Sequence, residues 1–174
     1  MQEHNPYASP TAAVAETDGQ SAAPGELAGR GVRLGAALID AVLLLAILTP
    51  LQWFSGFLPD LIDARQHGER LPWSTMALWA TIGITLFTAL QSWPLHRNGQ
   101  TWGKRLLSIR IVDLDGDRPP LWRLLVLRYL PMHIVGQVPI VGALIGFINP
   151  MFIFRADQRC LHDLIAGTRV VVAR

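Results

Sequence analysis

The chain has 174 residues, of which 51% are apolar and 16% charged, and its formal net charge is +2. That is room for one small domain, and soluble domains carry more charge, roughly 25%. The positive charge is almost all arginine, with Lys104 the only lysine. Beside so much apolar sequence it points away from nucleic acid and toward anionic lipid headgroups. A single cysteine, Cys160, excludes an internal disulfide.

In chain order, residues 1–29 are rich in Ala, Pro, Gly and Ser and carry Glu3, Glu16, Asp18 and Glu26. This composition predicts a disordered tail with no cleavable signal, ahead of a membrane domain over 30–174. A first helix is predicted from Val32 or Arg33 to about Phe57, with Asp40 as the only charge between residues 34 and 58. Pro50 is a candidate kink, and Trp53, Phe54 and Phe57 suit an interface. A short polar loop is expected from Asp60 to Leu71.

A second helix is predicted from Trp73 to Trp93, with tryptophan at both ends as in an aromatic belt. Thr81, Thr85, Thr88 and Ser92 fall on one mildly polar face. That face could meet another helix, or each hydroxyl could bond its own backbone and face anywhere. Residues 96–120 are hydrophilic, and Ser108–Val112 reads as a short strand followed by an Asp115-Gly116 turn.

The last apolar region, Leu121 to Phe154, fits either a surface helix and one span or two short spans turning at Gly136-Gln137-Val138-Pro139. Arg123 and Arg128 suit an interfacial opening where long side chains snorkel. Asn149-Pro150 places an amide in this stretch, either lining a pathway or repairing a proline kink. The tail ends in a second strand-like run, Thr168 to Ala173. The predicted class is therefore an all-α membrane protein with three to four membrane-embedded helices and a small cytoplasmic strand and amphipathic-helix element.

Arginine placement bears on topology. If the last region crosses once, basic residues divide nine against six between the two sides. If it crosses twice or re-enters, they divide thirteen against two. Gln100–Val112 and Gln158–Val171 also resemble each other, each running from a polar turn through apolar residues into a strand near an arginine. Two such strands can pair only on one side of the membrane. Both arguments predict cytoplasmic N- and C-termini.

Arg33 and Asp40 are seven apart, close to two helical turns, so they share a face, with Asp40 roughly 10 Å deeper. A charged aspartate at that depth needs a partner or a proton. Two readings stand: a group that binds a cation or proton, and a structural clamp.

Three patches, RGVRLGAALIDAVLLL, NGQTWGKRLLSIRIVDLDGDRP and DQRCLHDLIAGTRVVV, together resemble the RDD family of bacterial membrane proteins, named for one arginine and two aspartates. The resemblance covers about residues 30–172 and implies Arg33, Asp40 and Asp163 as the characteristic residues. It implies transport of an unidentified ligand, with cation/proton antiport proposed for some members. Asp163 is expected to ion-pair with Arg33, Lys104 or Arg105 or to gate the cytoplasmic mouth, the plainer alternative being a helix cap.

The Gly99–Lys104 run is one residue short of a P-loop, and Arg105 stands where Ser or Thr is required. It is expected instead to bend into an interfacial helix with Lys104 and Arg105 near headgroups. Asp113, Asp115 and Asp117 read as a turn, since Leu124 occupies the position where a calcium loop needs glutamate. The five histidines show no metal-ligand spacing, and no nucleophile, base and oxyanion set appears. No enzymatic activity, metal or cofactor is expected. The leading expectation is transport or permeation of a small ion or solute by a homo-oligomer, with Arg33 and Asp40 as the central polar pair and Asp163, Lys104, Thr81, Thr85, Thr88 and Asn149 near the path. The alternative is a non-transporting scaffold or lipid-organising module.

Overall fold

A computed structural model describes residues 25–138, 140–155 and 157–173. Among the described residues, two helices are long and apolar enough to cross a membrane: α1, Arg30–Phe54, and α3, Trp73–Asn98. Leu34, Leu38, Val42 and Leu45 of α1 are all more than half exposed, a surface suited to lipid rather than water.

Helix α1 ends where Gly56 turns left-handed at φ 83°, and the chain enters α2, Phe57–Gln66. This corrects the expected polar loop over Asp60–Leu71. Phe57 and Ala64 are buried, and Phe57 stacks on Trp79 of α3 at 4.8 Å, so an apolar side holds the helix in place. Helix α3 runs past Trp93, through Pro94, to a left-handed Gly99. A Cβ there would lie 2.7 Å from the Ile111 carbonyl oxygen.

A short helix α4, Trp102–Leu106, leads into strand β1, Ile109–Asp113. The Asp113 carboxylate then accepts the Asp115 and Asp117 N–H groups, closing the turn. The last apolar region folds as α5, Leu121–Arg123, a π-helical segment Leu124–Tyr129, α6, Leu130–Gly136, and α7, Val141–Met151. The chain reverses between α6 and α7 where the hairpin alternative had its turn, and the 11 residues of α7 are short of the roughly 20 needed for an untilted span. Among the described residues, two helices thus meet the length and hydropathy of a span, where three to four embedded helices were expected.

Helix α8, Leu161–Ala166, leads into strand β2, Thr168–Val172. The two similar sequence segments are therefore two helix-to-strand units. Their strands pair antiparallel, with Ile111 opposite Val170 and Ile109 opposite Val172. The residues just before α1 join them, since Ala28 N–H donates to Val170 O and Val172 N–H to Glu26 O. This moves the expected tail boundary, because residues 26–28 are strand-like partners of β2. The disorder expected of residues 1–24 lies outside the described residues.

The packed core sits at this end of the long helices. Ala28, Ala36, Leu95, Ile109, Ile111, Leu124 and Val170 are buried together, with Leu107, Leu121, Leu125 and Tyr129 against them. The segment before α1, the first turns of α1, and the segments after α3 and after α7 all meet here.

Candidate functional site

Arg33 and Asp40 do share a face of α1, with buried Ala36 between them, yet no bond joins them among the described residues. Each belongs to a separate network, which corrects the expected central pair.

Asp40 holds α4 against α1. One carboxylate oxygen accepts the Gln91 side-chain amide at 3.0 Å and the Gly103 N–H at 2.8 Å. The other accepts the Thr101 hydroxyl at 2.5 Å, and Lys104 Nζ lies 3.8 Å from it. Thr101 is also the N-cap of α4, accepting from the Lys104 N–H. Gln91 completes the joint by accepting the Trp102 N–H. Gly103 allows the approach, because a Cβ there would strike the Ala36 carbonyl oxygen. The GQTWGK run is thus a helix start built around an external carboxylate, not a phosphate cradle.

Arg33 gathers backbone carbonyls. Its guanidinium donates to Ala28 O at 3.0 Å, to Val170 O at 2.6 Å and to Gln158 O. It ties the start of α1 to β2 and to the loop before α8.

Asp163 pairs with Arg128, not with Arg33, Lys104 or Arg105. One carboxylate oxygen accepts from Arg128 and from the Thr168 hydroxyl, and the other accepts the Cys160 N–H, capping α8. The helix-cap reading is therefore realised, and the ion pair forms with a partner other than the three expected. Arg128 is 2% exposed, not snorkelling, and the π-helical segment carries it into the core. Its only signal in the sequence is an arginine inside an apolar run, which fits snorkelling equally well.

Arg128 also donates toward His162 Nε2 at 3.1 Å. Arginine only donates, so Nε2 accepts, and the proton sits on Nδ1, which faces Asn149 Oδ1 at 2.9 Å. The His162 N–H reaches the same Asn149 oxygen at 3.3 Å. Asn149 therefore anchors α8 to α7. Burial, then the Arg128 charge, push the His162 pKa down to about 3. Burial raises the Asp163 carboxyl, but Arg128, His162, Arg33 and the Cys160 N–H together hold it below its ordinary range.

Cys160, His162 and Asp163 bring ligand-type atoms within 4.8 Å of one another. The set is poorly suited to a cation. The His162 and Asp163 acceptors are already engaged, and the Arg128 charge stands among them.

Thr81 and Thr85 face outward instead of toward Asp40. Thr81 donates to Ala77 O at 2.9 Å and Ser92 to Thr88 O at 2.5 Å, so these hydroxyls are satisfied within their own helix and need no neighbour.

The sequence pattern of the RDD family matches residues 27–167. The uncharacterized protein YckC of Bacillus subtilis (strain 168) is 32% identical over 148 residues, which cover 84% of this chain and 85% of that relative. No solved structure matches. The matched segment contains Arg33 and Asp40 on α1, the Thr101–Lys104 closure and the Asp163 cap, and the chain belongs to the RDD family of membrane proteins.

Proposed function

We propose that this protein is a small transport or permeation unit of the bacterial cytoplasmic membrane, in which Asp40 latches one end of a path that opens from the other. The observation that carries this reading is where a cleft ends. About 280 Å³ lies between α1 and α3 on the side remote from the sheet, lined by Leu44, Leu48 and Gln52 of α1, by Gly83 of α3 and by His133 and Gln137 beside them. Leu44 is one helical turn, about 6 Å, from Asp40. On the sheet side of Asp40, Thr101 and Gly103 sit on the carboxylate. A cation or proton arriving from the cleft would compete with Lys104 for Asp40 and loosen that closure.

Cytoplasmic placement of the sheet is supported by the thirteen-to-two division of basic residues, because pairing of β1 with β2 brings the tail to the side of the long loop. Two long helices and a short hairpin leave the cleft open at one side, which favours a homo-oligomer. The test is proton movement in proteoliposomes after sodium or potassium is added, for the native chain and Asp40→Asn. A change of at least about tenfold, with assembly preserved, is the expected result. Equal fluxes would end the role of Asp40.

A second reading, a non-transporting scaffold or lipid-organising module, draws on the completeness of the Asp40 network. A carboxylate with four partners is already a finished clamp. On that reading neither protein moves ions, and Asp40→Asn lowers stability alone.

A further inference from the structure

We infer that the sheet-side end of α3 carries a built binding site for the headgroup of an anionic phospholipid, formed by Arg97 and Arg105 over the stacked indoles of Trp93 and Trp102. The site begins with a proline. Pro94 has no N–H, so the Leu90 carbonyl one turn earlier loses its helical partner. The Trp102 indole Nε1 donates to that carbonyl at 2.9 Å. This fixes Trp102 beside Trp93, with ring centroids 5.8 Å apart and planes 19° from parallel. Both rings stay well exposed, at 50% for Trp93 and 37% for Trp102.

The cations are held by the rings. The Arg105 guanidinium carbon lies 5.6 Å from the centroid of each indole, and that of Arg97 lies 5.5 Å from the Trp93 centroid. Both arginines are exposed, and neither has a carboxylate partner among the described residues. Arg118 adds a third guanidinium, since it donates to the Arg97 carbonyl at 2.7 Å. Leu106, 70% exposed, continues the apolar edge of α4.

Charge complementarity selects the occupant. Forked guanidiniums bind phosphate oxygens through paired N–H groups, and the indole faces and Leu106 offer apolar surface for the glycerol and upper acyl carbons. A lipid supplies both parts in one molecule. A free phosphate would use only the arginines. The inference needs the protein to be in a membrane and does not depend on transport.

The test uses the full chain in phosphatidylcholine nanodiscs containing a small equal fraction of phosphatidylglycerol or phosphatidylcholine spin-labelled near the headgroup. The readout is quenching of tryptophan fluorescence. Phosphatidylglycerol should quench more strongly, with an association advantage on the order of tenfold that falls as salt rises. R97Q/R105Q should bring the two lipids to parity, while R65Q/R70Q, at the opposite end of the long helices, should keep the advantage. Equal quenching in the native protein overturns the inference, as does an advantage that survives in R97Q/R105Q. Loss of the advantage on adding millimolar inorganic phosphate, beyond the effect of ionic strength, would assign the site to free phosphate and overturn the lipid. If R97Q/R105Q does not fold, the native comparison and the phosphate competition still decide.

Discussion

Arg33 and Asp40 occupy one face of α1, two turns apart, and each holds a different distant loop. Arg33 bonds the carbonyls of Ala28, Gln158 and Val170, and Asp40 bonds Thr101 and Gly103. The first helix is therefore the post to which both helix-to-strand units are tied. The two charges do not pair with one another, because each is held by its own partners elsewhere.

Asp40→Ala should destabilise the protein by about 3 kcal/mol or more, since it strands the Gly103 N–H, the Gln91 amide and the Thr101 hydroxyl, and hydrogen bonds to a charged group are worth about 1.5–3 kcal/mol each before compensation. Asp40→Asn keeps one acceptor oxygen and should cost less. Thermal unfolding in detergent, followed by circular dichroism, gives the order. Native-like melting of Asp40→Asn would remove the charge from the account.

Gly103→Ala tests the approach of α4 to α1 separately from the charge. In an open helix, Gly→Ala gains about 1 kcal/mol. At Gly103 the new methyl would meet the Ala36 carbonyl oxygen and come within 3.0 Å of the Asp40 carboxyl carbon, so a loss of about 1–3 kcal/mol is expected. Gly31, where an added methyl would meet nothing within 4 Å, is the matched control. A stabilised Gly103→Ala protein would mean that α4 is not seated on α1.

The two long helices and both strands were legible because each is local, set by apolar length and alternation, and the Gly-Gln-Val-Pro run marked a turn that the sequence left as one of two alternatives. The shared face of Arg33 and Asp40 followed from helical spacing. Their partners did not, because Arg33 bonds main-chain carbonyls, which leave no trace in residue identity. Arg128 was hidden for another reason. An arginine in an apolar run can snorkel or be buried against a carboxylate, and only the π-helical turn and the distant Asp163 decide between them. The threonine face stayed open between two readings because a hydroxyl that bonds its own helix looks, in sequence, like one that seeks a neighbour.

Arg128 and Asp163 should behave as a buried pair. Removing one partner, as in Asp163→Leu or Arg128→Met, leaves the other charge unpaired at 2% exposure or less and should cost about 3–5 kcal/mol. Replacing both together should recover much of that loss, because no buried charge remains. A double-mutant cycle on unfolding free energy measures the coupling, and strictly additive losses would deny it.

Acid should loosen the α8 end first. His162 titrates at about 3 in the folded protein against about 6.5 when exposed, so between these values the unfolded chain binds more protons. Stability therefore falls as pH drops below about 6.5 and keeps falling toward 3. Asp163, held low in the folded state, has the same sign below its ordinary range. Melting temperature measured across this window should decline steeply in the native chain. His162→Gln should flatten the upper part of the slope, and an unchanged profile would mean that His162 is not buried neutral.

The paired strands make a prediction about sides that is independent of function. Five residues of β1 face five of β2, and residues 26–28 extend the layer, so the 113–117 turn and residue 173 must share an aqueous face. The connection at residues 67–70 lies at the opposite ends of α1 and α3 and should meet the other face if both helices cross. Single cysteines at Asp115, Ala173 and Glu69, introduced with Cys160→Ser, can be labelled in intact cells by a membrane-impermeant maleimide. Glu69→Cys should label, and Asp115→Cys and Ala173→Cys should label only after permeabilisation. Labelling of Asp115→Cys and Ala173→Cys on different sides would contradict the sheet itself. Labelling of both from outside would keep the sheet and invert the orientation derived from the basic residues.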